Sequence, residues 1–394
     1  AKPSRYSAMA IPIAVFYNRP RIPHPAKKGN TAYMRWLLVL WISGCLFLSS
    51  IRQFAVSQER KVSLLFAGDA MQHLPQVHSA KTENGYNYDS CFYLIKDNIA
   101  SADIACVNFE TVLGGKPYTG YPTFSSPDEF ASALKNAGFD VFFLANNHAM
   151  DGGQKGLERT IDVLDSLQIK HTGTFKSPHE RTLRYPLMLI KNGIRIALLN
   201  YTYKTNGIPV KNPSIVNFTD TFLIKKDIGT ALRYKPDIII ANMHWGEEYL
   251  TYPTTEQRKM AQFLINNGVR MIIGHHPHVV EPVSVYRKEK EPANVVYYSL
   301  GNFISNQQHP HTEGGMIAEI VIRKTSDEAP AEIESHAYSF IWVRKYRDKE
   351  KTNYVLIPTT LSRVAITPPF SKEEKETMEK FTEHAEKTVQ KTVP

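Results

Sequence analysis

Met271-Ile272-Ile273-Gly274-His275-His276-Pro277-His278 joins a short apolar run to three histidines within four positions. The same construction, an apolar run stopping at Asp, Glu, Asn or His, occurs five more times. Residues 64–67 meet Gly68-Asp69, and residues 104–107 meet Asn108-Phe109-Glu110. Residues 141–144 meet Asn146-Asn147-His148, and residues 238–240 meet Asn242-Met243-His244-Trp245-Gly246. Residues 295–298 meet Ser299-Leu300-Gly301-Asn302-Phe303. Runs of this kind read as buried strands of an α/β sheet, whose ends open into one crevice where ligands and metals bind.

Helical patterns lie between them. Residues 89–99 repeat apolar residues at helical spacing. Ser126-Pro127-Asp128-Glu129 reads as a helix start with Ser126 as N-cap, and Gly138 as its left-handed end. Residues 156–167, 222–234 and 255–267 are further helices. Alternation of strand and helix predicts a mainly parallel sheet with helices on its faces. From Met316 the pattern changes: 316–323, 336–344 and 354–357 read as antiparallel strands. Residues 371–392 form a Lys/Glu-rich helix whose thin apolar stripe (Met378, Phe381) leaves two readings, a docked helix or a solvated tail.

The net charge is +9 and the isoelectric point about 9.2, yet no nucleic-acid partner follows. Ten Lys/Arg and one acid (Glu59) stand in residues 1–61, leaving 47 − 10 = 37 bases against 38 − 1 = 37 acids beyond. The folded part is neutral. The basic segment surrounds residues 36–51, uncharged for 16 positions between Arg35 and Arg52. That run is slightly short for a ~30 Å hydrocarbon core. It reads as an export signal, either a membrane anchor or a cleaved peptide starting at Met34. A lipoprotein with Cys45 lipidated is a third reading, since Ile42-Ser43-Gly44-Cys45 resembles a lipobox. The expected location is the cell envelope, membrane-anchored or periplasmic or extracellular. Cys91 and Cys106 read as inert core thiols rather than a disulfide.

The chemistry lies at the strand ends. His276 and His278 are expected to turn two imidazoles toward one point, because residues two apart in an extended segment share a face. Asn147 offers a modest hard-cation ligand, and His148 beside it an acid or electrostatic partner. Taken alone, Asn-Asn-His is more often just a turn, and His244 a satisfied core histidine. In company His244 supplies another nitrogen, with Trp245 shielding it. Glu247 and Glu248 either orient a ligand or open the next segment. Asp69 and Glu110 bring the negative charge that divalent ions require; the competing reading is helix capping. His73 and His78 read as surface or substrate-side residues. With no Walker A motif, nucleophile elbow, H-E-x-x-H or dinucleotide fingerprint, metal-assisted hydrolysis is the natural reaction class.

Read together, the six clusters resemble the CapA family of capsule or poly-γ-glutamate biosynthesis proteins across roughly residues 62–306. That family is distantly similar to calcineurin-like metallophosphoesterases. The resemblance implies a four-layer αββα metallophosphoesterase-like sandwich with a dinuclear metal site at one edge. Its plan is a basic leader (1–61) with signal or anchor (36–51), a CapA-type domain (62–312), strands completing it (313–370) and a charged helix (371–394). Carried over by motif, Asp69, Glu110, Asn147, His244, His276 and His278 hold one or two divalent ions (Mn, Fe or Zn), and His148 is the catalytic histidine. Glu110 stands where the phosphoesterases carry a bridging aspartate, and no D-x-H follows the first strand. The implied partners are an anionic cell-surface polymer such as poly-γ-glutamate, capsule synthesis or export subunits, and the membrane. Three functions follow: a metal-dependent hydrolase or transferase acting on the polymer, a non-catalytic membrane subunit of a capsule assembly or export machine, and a metallophosphoesterase of another substrate.

Overall fold

The computed structural model describes residues 59–287, 293–348, 351–361 and 368–393, within one compact unit, Ser57–Pro394. The expectations for the leader, residues 36–51 and Cys45 lie outside the described residues. Among the described residues, no helix is long and apolar enough to cross a membrane.

Two sheets carry the chain. The first contains β1 (Arg60–Ala70), β2 (Ile104–Phe109), β3 (Val141–Phe143) and β4 (Lys170–Thr172). The second contains β5 (Leu187–Lys191), β6 (Ile194–Thr202), β7 (Ile238–His244), β8 (Met271–His275), β9 (Val283–Tyr286) and β10 (Asn294–Tyr297). The chain then returns to the first sheet with β11 (Asn302–Ile304), β12 (Gly314–Lys324), β13 (Glu332–Asp348) and β14 (Lys351–Pro358). The first sheet has the order β14-β13-β12-β1-β2-β3-β4 with β11 beside β1; the second runs β9-β10-β8-β7-β6-β5. β1 to β4 pair in parallel, as do β6, β7, β8 and β10. β12, β13 and β14 are antiparallel.

Alternate side chains explain why the strands read as unbroken apolar runs. Val62, Leu64 and Phe66 of β1 enter a core shared with Ile194, Ile196 and Leu198 of β6 and Ile238 and Ile240 of β7. Leu65 and Ala67 face the opposite way, onto helices Asp128–Ala137 and Gly153–Ser166. Ala197, Leu199 and Ala241 point outward from the second sheet, onto helices Thr221–Arg233 and Thr255–Asn266. The layers are therefore helix, sheet, sheet, helix.

Helix Lys372–Val389 docks. Met378, Phe381, Ala385 and Val389 extend the inter-sheet core, and Gly314 makes room, since a Cβ there would overlap the carbonyl of Ile341 and crowd the Phe381 ring. The helix opens with a capping box from Ser371 and Glu374, and Glu374 also pairs with buried Arg344 at 2.8 Å. Two local expectations need correction. The segment 89–99 is two short helices, Asp89–Phe92 and Lys96–Ala100, joined by a tighter turn in which Ile95 N donates to Phe92 O. Its apolar face is kept, because Cys91, Phe92, Ile95 and Ile99 are all buried. Ser126 is not the N-cap. Its hydroxyl pairs with Thr111 Oγ1 at 2.7 Å, and the helix starts after Pro127 without a side-chain cap. Cys91 and Cys106 are buried free thiols.

Candidate metal centre

The parallel strands end at the same level, and their last residues meet. A bulge between Ala67 and Asp69 sets Asp69 opposite Asn108 of β2, while β11 on its other side places Asn302 opposite it. The bulge requires Gly68: a Cβ there would overlap the carbonyl of Gly301. Gly274 has the same role in β8, where a Cβ would overlap the carbonyl of Tyr298 and crowd the Trp245 indole nitrogen.

Asp69 and Glu110 are fully buried. Asn108 Nδ2 lies between them, donating to Asp69 Oδ1 at 2.7 Å and to Glu110 Oε2 at 3.2 Å. His278 Nδ1 donates to Asp69 Oδ2 at 3.0 Å and lies 3.2 Å from Asn302 Oδ1, leaving its Nε2 3.8 Å from Glu110 Oε1. His244 Nε2 donates to Asn147 Oδ1 at 2.8 Å and lies 3.6 Å from the same Glu110 Oε1. His276 Nε2 meets the Tyr203 hydroxyl at 2.6 Å.

The buried atoms left without hydrogen bonds are the test of fit. They include Glu110 Oε1 and His276 Nδ1. Leaving such atoms unpaired costs about 1–3 kcal/mol each, so a folded chain keeps few of them without a use. Glu110 Oε1 stands 3.6–3.8 Å from two imidazole nitrogens, too far for hydrogen bonds. That spacing suits ligands that share a cation, each about 2.0–2.2 Å from it. Glu110, His276 and His278 form one set of donor atoms within 4.8 Å of one another, and Asp69, Glu110 and His244 form another. Glu110 belongs to both sets. The residues present fit one divalent ion or a pair sharing Glu110.

The charges agree. Burial works to raise the Asp69 carboxyl, but the imidazoles of His275 and His278 hold it well below the usual range. Burial and then the nearby Asp69 push Glu110 well above it. Without a cation the two cannot both be comfortably ionised; a divalent ion removes the conflict. Burial, followed by a neighbouring imidazole, holds His244 and His276 well below their ordinary value. Both are therefore neutral at physiological pH, the form that binds metals.

His148 is organised differently. Its Nδ1 donates to Asp151 Oδ2 at 2.7 Å and its ring meets the Phe124 ring edge-on at 4.6 Å. Asp151 also accepts from Phe124 N at 2.6 Å. Asn146 braces the turn, its Nδ2 donating to Phe109 O and its Oδ1 accepting from His148 N.

All seven candidate residues lie buried at these strand ends and the turns that follow them, but one expectation about how is wrong. His276 and His278 do not share the face of an extended segment. β8 stops at His275, and His276 and His278 adopt φ of 100° and 61°. A left-handed backbone is unusual for histidine and points to function where the surrounding structure enforces it. Trp245 is buried in the outer core of the second sheet, its Nε1 donating to Tyr298 O, whereas Glu247 and Glu248 are exposed. His78 is exposed and His73 half-buried. Sequence reasoning passed over Asn108, Tyr203, Asn302 and Asp151 as contributors. It also passed over His275, whose Nε2 donates to Asn242 Oδ1 at 2.7 Å. Tyr203 follows β6, a seventh apolar run ending in polar residues (Asn200-Tyr201-Thr202-Tyr203), which the pattern of the other six could have revealed.

Residues 63–307 match the family described as bacterial capsule synthesis protein PGA_cap. The chain is 30% identical over 308 residues to the PGA biosynthesis protein CapA of Bacillus subtilis, covering 74% of this chain and 76% of that protein. It is 28% identical over 318 residues to the capsule biosynthesis protein CapA of Bacillus anthracis, covering 75% and 74%. Among solved structures it is similar to the calcineurin-like phosphoesterase YfkN of Bacillus subtilis, at 11% identity and a TM-score of 0.42, covering 85% of this chain and 100% of that one. At that score the likeness carries no functional weight. The chain belongs to the bacterial capsule synthesis protein PGA_cap family.

Proposed function

From that membership, we propose that the chain is an envelope-exported, metal-dependent hydrolase or transferase of metallophosphoesterase type, acting on poly-γ-glutamate or a related anionic surface polymer. The observation that carries this reading is Glu110 Oε1, buried, unpaired and set 3.6–3.8 Å from the Nε2 atoms of His244 and His278. Asp69, Glu110, Asn147, His244, His276 and His278 would hold one or two divalent ions of Mn, Fe or Zn. When bound, such an ion supplies Lewis-acid polarisation of an amide or phosphoryl oxygen and acidifies water.

The protein's own groups do the rest. Asp151 fixes the Nδ1 proton of His148, so that its Nε2 is the atom that takes up a proton from water and, as the imidazolium, passes it to a leaving group. Asn108 bridges the two carboxylates and Tyr203 orients His276. Residues 36–51 would hold the protein at, or export it across, the membrane.

Incubating the purified full chain with poly-γ-glutamate and Mn²⁺, Fe²⁺ or Zn²⁺, then sizing the polymer by gel filtration, tests the reading. It expects shortening that a chelator stops; intact polymer with every metal argues against it. A second reading is favoured by the names of the two relatives, which specify biosynthesis. In it the chain is a non-catalytic subunit of the assembly machinery. It expects His148→Ala to leave capsule formation intact in cells.

A further inference from the structure

Beside the metal centre lies a cation that the chemistry above does not use. Lys345 sits on β13, half-buried. Its Nζ donates to Gln307 O at 3.1 Å, and among the described residues no carboxylate lies within ion-pair reach. Burial lowers its ammonium to about 8, with Glu313 pulling the other way. Half-buried lysines normally find an acid, because leaving the charge uncompensated is costly. Gln307 connects this lysine to the centre, since its Oε1 accepts from Asn302 Nδ2 at 2.8 Å and Asn302 Oδ1 lies against His278.

His73 is the second member. Its Nδ1 accepts from Asn306 N at 3.2 Å and also lies 3.3 Å from Gln76 Oε1, while no partner is described for its Nε2. Burial brings its value down to about 4, and the charges of His278, Lys345 and His148 all bear on it. Its ring packs edge-on to Phe124, the same ring that meets His148. Lys345 and His73 thus both lie against the Asn306–Gln307 segment, which Asn302 joins to the centre. On another side Glu247 and Glu248 are exposed, and their charges bear on Tyr203.

We propose that Lys345 and His73 form an oxyanion subsite that takes an anionic group of the substrate next to the bond at the metal centre. The idea rests on the cleft being a substrate site, and it narrows the substrate to one carrying a carboxylate or phosphate beside the reacting bond. Lys345 supplies charge, and the unpartnered Nε2 of His73, carrying the ring proton, supplies a hydrogen bond. Both are positioning residues.

Calorimetric binding to the full chain in the presence of a chelator tests this without any turnover. The probes are a γ-glutamyl trimer with free carboxylates and the same trimer fully amidated. The wild type is expected to bind the acid at least tenfold more tightly than the amide. Lys345→Met is expected to erase that preference, Lys345→Arg to keep most of it, and His73→Ala to reduce it. Thermal melting separates a structural role: Lys345→Met should leave the Tm unchanged or raised, because an uncompensated half-buried charge is removed. Competition by inorganic phosphate against acetate then identifies the oxyanion, the stronger competitor naming the chemistry. Equal binding of acid and amide by the wild type, or an unchanged preference in Lys345→Met, overturns the proposal. Because the readout is binding without metal, polymer left uncut in the hydrolysis assay would sink the catalytic reading alone.

Discussion

The bodies of the strands and their tips obey opposite rules. In β1, β6 and β7 the bodies are Val, Ile, Leu and Phe, buried on both faces and paired throughout. One or two residues further on, the same strands present Asp69, Tyr203 and His244, with unpaired buried atoms close by and positive φ in the adjacent histidine loop. The bodies provide stability, through burial and packing. The tips give stability up, and the fold tolerates this because several strands hold each tip in place. The division teaches where substitutions are expected to act: those in the bodies on folding, those at the tips on the proposed cation binding and chemistry.

The largest expected effect lies at the tips. Glu110→Ala should remove the metal, lowering affinity by more than the roughly 10–100-fold typical of outer-shell partners. It should also abolish any hydrolysis, with the fold intact by circular dichroism. Elemental analysis checks this, and a variant that keeps wild-type metal breaks the division. His148→Ala sharpens it within the tips. Turnover should fall about 10²–10⁴-fold at unchanged metal content, measured by single-turnover kinetics. Leu198→Ala in the body should do the reverse, costing about 2–5 kcal/mol of stability by denaturant titration while metal content per folded molecule stays constant.

The smallest effect is a slope. Glu281 is buried, held by Gln257 Nε2 at 2.7 Å and pushed by burial up to about 8. Its folded value lies above its unfolded one, so its contribution is fully present below about pH 4.3 and is lost as pH rises through about 8. Glu281→Gln should flatten this stretch of the stability–pH curve, by on the order of a few kcal/mol at most. An unchanged slope in the variant would place the titration elsewhere.

The bodies were legible because parallel strands covered on both faces leave continuous apolar runs, and the antiparallel return of β12 to β14 was legible because no helix separates them. Most of the tips were legible too, wherever the polar stop contained His or an acid. β6 was missed because its stop is Asn, Tyr and Thr, residues that no metal pattern requires. The histidine loop was located correctly but given the wrong backbone, since nothing in His-x-His announces a left-handed turn. Asn108 acquires its role only through the register that the Gly68 bulge imposes on β1 and β2. Lys345 carries no local signal: a strand far along the chain brings it against Gln307, and only the folded structure shows that no described carboxylate is within ion-pair reach.

The central claim is that strand tips from both sheets converge on one cation centre. Anomalous diffraction from crystals of the full chain grown with Mn²⁺ tests it most directly. The account predicts a peak in bonding contact with Glu110, about 2.0–2.2 Å away, completed by His276 and His278, by Asp69 and His244, or, for a pair of ions, by both sets. An empty cleft, or manganese bound elsewhere while these side chains keep their present contacts, would contradict it.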